Sequence, residues 1–141
     1  MAAETIFLDT NGWFALLSAK DTLHTRANEL WRETGRVGCG VVLTDWVVAE
    51  TGNGLARTSA RAKFVESVAS FQRSPRFRII SISPALRQRA LTLYSERSDK
   101  TWGLVDCASL IIMKDEGITE AFTTDRHFEQ AGFNCLLPAS A

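Results

Sequence analysis

The stretch Thr5-Ile6-Phe7-Leu8-Asp9-Thr10-Asn11-Gly12-Trp13-Phe14-Ala15-Leu16-Leu17 decides the fold class. Its first four residues form a short apolar run rich in strand formers, and Asp9 to Gly12 are turn and cap residues. Trp13, Leu16 and Leu17 then fall at i, i+3 and i+4, the spacing of one helix face. The chain passes from strand to helix with hardly a loop between, and this alternation repeats along the sequence.

A second helix is predicted around Ala27, Leu30 and Trp31, and a second strand at Val41-Val42-Leu43 after Gly35, Gly38 and Gly40. Thr44 is the expected N-cap of a helix from Asp45 to about Arg57. Ser59 is the expected cap of another helix, which ends at Ser74-Pro75. Phe77 to Ile82 reads as a third strand, and Ser83-Pro84 places a cap and an N1 proline before a helix running to about Arg97. Leu104 to Glu116 forms a helix whose central part is apolar almost all round, with Gly117 as its stop. Ala121 to Thr123 reads as a fourth strand, Arg126 to Ala131 as a helical turn or two, and Phe133 to Leu137 as a candidate fifth strand. Strands alternating with helices predict an α/β fold: one α/β/α sandwich spanning residues 1–141, with a mainly parallel central sheet of four or five strands.

The chain has 141 residues, 45% hydrophobic and 23% charged, which suits one globular domain and excludes a disordered tail or a fibrous repeat. The longest uninterrupted apolar run, Trp13 to Leu17, falls far short of the ~18 residues of a membrane span. No signal-peptide pattern opens the chain, and Cys39, Cys107 and Cys135 form no paired motif, so a reducing cytoplasm is the expected compartment. The 16 basic and 16 acidic residues cancel, but unevenly. Residues 1–50 carry −3, residues 51–100 carry +7 and residues 101–141 carry −4. The middle block, in which Arg57 and Arg61 are candidate substrate contacts, is either a set of solvated helix faces or a phosphate-binding surface.

In a parallel α/β sheet ligands gather at the carboxyl ends of the strands. Asp9 and Asp125 follow predicted strands, and Asp106 lies in the first turn of a helix. Glu50 sits deeper in the helix after the second strand, where Trp46, Val47 and Gly54 are its expected same-face neighbours. This predicts apolar company for Glu50, with the glycine leaving a gap. Asp45 lies about 140° round the same helix and is not expected to share its pocket. Each acid also has an ordinary explanation: Asp9 as an Asx turn or helix cap, Asp106 as a dipole-favoured first-turn residue, Asp125 as a cap or surface pair, Glu50 as an exposed acid. Independent caps, however, have no reason to collect on one edge of one sheet. Converging carboxylates raise one another's pKa or hold a cation that removes the repulsion, and all-oxygen donors favour Mg²⁺ or Mn²⁺ over zinc. His24 and His127 stand in no paired zinc spacing and are expected to be surface or packing residues. No nucleotide-binding glycine loop and no nucleophile elbow occurs. A carboxylate-bound divalent ion beside a basic surface suits phosphodiester hydrolysis.

Four segments, Asp9 to Leu17, Leu43 to Thr51, Asp99 to Cys107 and Phe122 to Phe128, resemble the PIN domain in its VapC-like toxin branch, in order and spacing from about Thr5 to Leu137. The resemblance implies a metal-dependent endoribonuclease acting on RNA, the toxin half of a toxin–antitoxin pair, commonly a homodimer. It implies Mg²⁺ or Mn²⁺ held by acids falling here on Asp9, Glu50, Asp106 and Asp125. Asp9 or Asp125 is the acid further expected to help deprotonate the attacking water. Thr123 matches the family's threonine before the last acid, Asn11 an amide near the first, and Asp99 a lower-ranked acid ahead of the third motif. Gly103-Leu104-Val105 stands where relatives often carry hydroxyl residues, which removes groups that would cap the helix or orient a water. An RNA-binding or adaptor module with a vestigial metal site is the alternative from the same residues. A phospho-receiver would need two adjacent acids after the first strand and a late lysine, and a haloacid-dehalogenase-type phosphatase an acid where Asn11 stands.

Overall fold

A computed structural model describes residues 4–138. Its elements are β1 (Thr5–Leu8), α1 (Thr10–Leu17), α2 (His24–Arg36), β2 (Gly40–Thr44), α3 (Asp45–Leu55), α4 (Arg61–Arg73), β3 (Phe77–Ile80), α5 (Pro84–Glu96), α6 (Leu104–Glu116), β4 (Glu120–Phe122), α7 (Arg126–Gln130) and β5 (Asn134–Cys135). The five strands form one sheet in the order β3-β2-β1-β4-β5, with every pairing parallel. The expected α/β sheet of four or five strands is therefore present with five. The single-domain expectation over 1–141 also takes in residues 1–3 and 139–141, which lie outside the described residues.

Strand order dictates where the helices go. The connections from β1 to β2 and β2 to β3 step toward one edge, whereas those from β3 to β4 and β4 to β5 step the other way. With right-handed crossovers, α1–α4 cover one face and α5–α7 the other. Contacts within each group, α1 with α2 and α3, α3 with α4, and α5 with α6, agree with that division. The direction of winding reverses between β1 and β4, so the crevice beyond their carboxyl ends is the fold's natural ligand position.

Local chemistry sets the boundaries. Thr44 Oγ1 accepts from Val47 N–H at 3.1 Å and starts α3, and Ser83 does the same for Leu86 at 3.1 Å, with Pro84 opening α5. Gly117, at φ 68°, adopts the left-handed conformation that stops α6. Several boundaries differ from expectation. Helix α1 begins at Thr10, because Asp9 in extended conformation is already its N-cap residue. Helix α3 stops at Leu55, and α4 is preceded by Ala60 rather than capped by Ser59. There the Thr58 hydroxyl accepts from Ala60 N–H at 3.2 Å, spending the local hydroxyl bond one residue earlier.

The strand residues Phe7, Leu8, Val41, Val42, Leu43 and Phe122 are almost completely buried, as expected for a sheet covered on both faces. On the α1–α4 face an aromatic cluster joins Trp13 to Phe64 and Phe71 at ring separations of 5.1 and 5.2 Å, while Phe71 stacks on Phe77 at 4.3 Å. The one polar atom of Trp13, its indole N–H, donates to Ser67 Oγ at 3.1 Å, which lets this large side chain be fully buried without an unpaired donor.

Candidate metal centre

Asp9 follows β1 directly and is 2% exposed. Although it holds the N-cap position of α1, its carboxylate makes no capping bond; Oδ2 instead accepts from Thr123 Oγ1 at 2.8 Å. Thr123, one residue beyond β4 and fully buried, also accepts from Asp125 N–H at 3.0 Å. A single hydroxyl thus ties the first acid to the backbone of the last. The close seating depends on Gly12: a Cβ there would fall 2.0 Å from the Phe122 carbonyl oxygen, so only glycine lets the first turn of α1 press against the end of β4.

Asp106, at the third position of α6, reaches back so that Oδ2 accepts from Gly103 N–H at 2.9 Å. No side-chain hydroxyl caps this helix, as the Gly103-Leu104-Val105 sequence implies, and the carboxylate takes over part of that duty. Asp125 caps α7, accepting from His127 N–H at 2.9 Å. Both acids are therefore caps, and both nevertheless face one another. Single ligand atoms of Asp106, Asp125 and His127 lie within 4.8 Å of one another, and the imidazole Nδ1 of His127 is 3.1 Å from Asp106 Oδ2 and 3.1 Å from Asp125 Oδ1. On its other side His127 Nε2 meets Thr101 Oγ1 at 3.2 Å.

His127 joins the cluster of acids, a placement that sequence reasoning missed. The expectation of a surface or packing histidine rested on the absence of zinc-type spacing. The available signal was its place two residues after Asp125 at a helix start, where a side chain folds back over the cap.

Burial pushes the Asp9 carboxyl up to about 7, with the negative fields of Asp106 and Asp125 adding to the rise and the Thr123 hydrogen bond opposing it. Asp106 is also raised, chiefly by burial; the Gly103 N–H and His127 oppose this and Asp125 adds to it. Such carboxyls either keep a proton or hold a cation. Asp106 and Asp125 offer half-buried oxygen donors within 4.8 Å of each other and of His127, and the buried Asp9 carboxyl lies close enough to feel their charges, a set whose oxygens fit a hard divalent ion and whose imidazole also accommodates Mn²⁺.

The remaining candidates are placed differently. Glu50 is exposed, on a helix whose buried side runs through Val47, Thr51 and Leu55, so the predicted apolar company is absent. The predicted gap at Gly54 is absent too: a Cβ there would meet the Phe14 ring at 2.3 Å, because that ring fills the space. Glu50 does adjoin Thr51, whose hydroxyl lies 3.4 Å from that of Thr10 beside Asp9, so α3 passes the rim of the same crevice. Asp45 turns elsewhere, accepting from Ile82 N–H at 3.1 Å. Asn11 is half-buried in the first turn of α1, and its amide makes no hydrogen bond among the described residues. Asp99 is exposed and paired with Arg97 at 3.0 Å, outside the cluster.

Much of the basic block is spent on structure. Arg78 pairs with Glu116 at 3.0 Å, Arg89 with Asp115 at 2.6 Å, and Arg76 donates to the Cys39 carbonyl at 2.7 Å. Arg57 and Arg61 are exposed around the α3–α4 connection, where Arg61 donates to the Ala56 carbonyl at 3.2 Å. Among the described residues no helix is long and apolar enough to cross a membrane, and Cys39, Cys107 and Cys135 are free thiols.

The family model for the PIN domain matches residues 6–134. The chain is 30% identical over 128 residues to the 23S rRNA-specific endonuclease VapC20 of Mycobacterium tuberculosis, covering 91% of this chain and 95% of that protein. The crystal structure of that VapC20, described as a Sarcin-Ricin loop cleaving toxin, superposes with a TM-score of 0.80 at 28% identity over 92% of this chain and 96% of that one. FitAcB from Neisseria gonorrhoeae superposes with a TM-score of 0.64 at 20% identity, covering 97% of this chain and all of that one, a likeness of fold.

Proposed function

The chain belongs to the PIN domain family, and we propose that it is an endoribonuclease, the toxin of a toxin–antitoxin pair, that cleaves RNA phosphodiester bonds with Mg²⁺ or Mn²⁺ held by Asp9, Asp106 and Asp125. One observation supports the reading: Asp106 and Asp125 meet at His127 near the point where the sheet reverses its winding, and Asp9 lies close enough that their charges add to the burial that holds its carboxyl near 7. A bound divalent ion would supply a water acidic enough to attack at neutral pH and would offset charge growing on the phosphoryl oxygens.

The protein's own groups do the rest. Thr123 fixes the Asp9 carboxylate through Oδ2. The Gly103 N–H and the His127 imidazole hold Asp106, and His127 spaces it from Asp125. Glu50, exposed on α3 next to Thr51, is the proposed fourth acid, and the uncommitted Asn11 amide is available to a water or a phosphate oxygen. Arg57 and Arg61 are the proposed contacts to more distant phosphates. The likeness to VapC20 supports ribosomal RNA as substrate, a protein antitoxin as partner and the cytoplasm as the place of action; a homodimer is the proposed assembly.

The test is cleavage of 23S rRNA, and of a hairpin carrying its sarcin–ricin loop, with Mn²⁺ or Mg²⁺. Wild-type protein should cut and lose activity in a chelator, and Asp9→Asn and Asp106→Asn should each abolish cutting with unchanged circular dichroism. Cleavage retained by both variants overturns the assignment of the acids. Binding without cleavage by the wild type favours an adaptor.

A further inference from the structure

A cavity of about 670 Å³ opens between the exposed side of α5 and the segment joining α5 to α6. It is lined by Tyr94, Arg97, Ser98, Lys100, Thr101 and Gly103 among others, and none of its lining residues is a carboxylate. Its far end is the site itself: Gly103 N–H donates to Asp106 Oδ2 at 2.9 Å, and Thr101 Oγ1 touches His127 Nε2 at 3.2 Å. A hollow lined by two cations and no carboxylate, with Asp99 paired to Arg97 beside it, therefore adjoins the cluster of acids. The neighbouring groove between α5 and α6 differs, since Glu96 and Asp115 line it.

The cations in this hollow are not equivalent. Arg97 is committed, paired with Asp99 at 3.0 Å and lying 4.9 Å over the Trp102 ring. Trp102 is in turn anchored by Gln130 at 3.0 Å. Lys100 makes no ion pair among the described residues. Tyr94 is 51% exposed on a side of α5 that also leaves Leu91 44% exposed. An exposed ring beside an uncommitted ammonium and several hydroxyls is the equipment for one nucleotide: a π-face for the base, a point charge for its phosphate, and donors and acceptors for a 2′-hydroxyl.

Resting on the ribonuclease reading, we infer that this hollow is a nucleotide subsite that seats a residue of single-stranded RNA beside the scissile phosphate, with Tyr94 stacking on its base and Lys100 contacting its phosphate. The subsite gives the acid crevice the positive charge that it lacks. It also fixes the register of the strand relative to Asp106 through Thr101 and Gly103.

Fluorescence anisotropy with a labelled 12-mer oligouridylate RNA tests this in the Asp9→Asn background, where cleavage does not interfere. Tyr94→Ala should weaken binding about tenfold. Lys100→Ala should weaken it several-fold and flatten the salt dependence of log K by about 0.7. Lys63→Ala, an exposed α4 cation, should leave both unchanged. Replacing single uridines by abasic residues should lower affinity at one position, and Tyr94→Ala should erase that sensitivity. Absence of RNA binding in the parent, or Tyr94→Ala and Lys100→Ala affinities within twofold of it, overturns the subsite. Cleavage of ribosomal RNA by the wild type would then still stand, so the subsite and the ribonuclease reading fail separately.

Discussion

Thr123 Oγ1 donates to Asp9 Oδ2 at 2.8 Å across 114 residues of sequence, and the same oxygen accepts the Asp125 amide at 3.0 Å. It is a buried hydrogen bond to an acid that has no solvent to replace it, so the hydroxyl is both an orienting and a stabilising group. Thr123→Val keeps the shape and removes both bonds. We expect a loss of about 1–3 kcal/mol in urea denaturation and a drop in RNA cleavage of at least tenfold. Thr123→Ser should recover most of each, and a Val variant as stable and active as wild type would show that the bond is idle.

The Asp9 carboxyl, raised to about 7 from 3.8, links stability to pH. In the unfolded chain it loses its proton near pH 4, whereas the folded, metal-free protein keeps it to about 7. The folded state thus binds more protons between these values, and metal-free stability should fall as pH rises from 4 to 7, by an amount on the order of 4 kcal/mol if Asp9 acted alone. Melting in EDTA should show this decline, and Asp9→Asn should flatten it. Mn²⁺ should raise Tm more at pH 8 than at pH 5, because binding must displace the proton at the lower pH. A Tm indifferent to both pH and Mn²⁺ would contradict a converging set of acids.

His127 bridges Asp106 and Asp125 at 3.1 Å to each, with Thr101 behind it. Groups that orient metal-holding carboxylates commonly matter by 10–100-fold in affinity or activity. His127→Ala should therefore raise the Mn²⁺ concentration giving half-maximal cleavage by about tenfold and leave the fold intact, since the ring is only half-buried. Isothermal titration with Mn²⁺ measures the same change without turnover, and an unchanged Mn²⁺ affinity would assign the imidazole no part in holding the acids.

Much of this arrangement is legible in the residues because period and punctuation act locally. The β1–α1 junction, the Thr44 and Ser83 caps and the Gly117 stop all follow from short-range backbone chemistry. Parallel alternation then places Asp9 and Asp125 on one edge of the sheet. What local rules miss is long-range filling. Gly54 looks like a vacancy from its own helix, but Phe14 arrives from α1 to occupy it. Glu50 looks buried from its i−3 and i−4 neighbours, but the core contact of α3 runs through Val47, Thr51 and Leu55. His127 looks solitary because Asp106, its second partner, is 21 residues away in sequence.

Gly12 offers a test in which two such effects have opposite signs. It lies inside α1, where replacing glycine by alanine ordinarily favours the helix by about 1 kcal/mol. A Cβ here would sit 2.0 Å from the Phe122 carbonyl oxygen and 2.7 Å from its carbonyl carbon, both backbone atoms of β4 that cannot rotate aside. Forcing α1 off the sheet costs typically 1–3 kcal/mol or more, which outweighs the propensity gain. It would also lengthen the Asp9–Thr123 bond, because Asp9 precedes the first turn of α1 and Thr123 follows Phe122. Gly12→Ala should therefore lower the urea midpoint and reduce RNA cleavage together. Gly38→Ala, on a loop with open space and a φ of 75°, should cost stability through backbone strain but leave cleavage per folded molecule unchanged. If Gly12→Ala is stabilising, helix propensity governs the position and α1 has room that the observed seating on Phe122 denies.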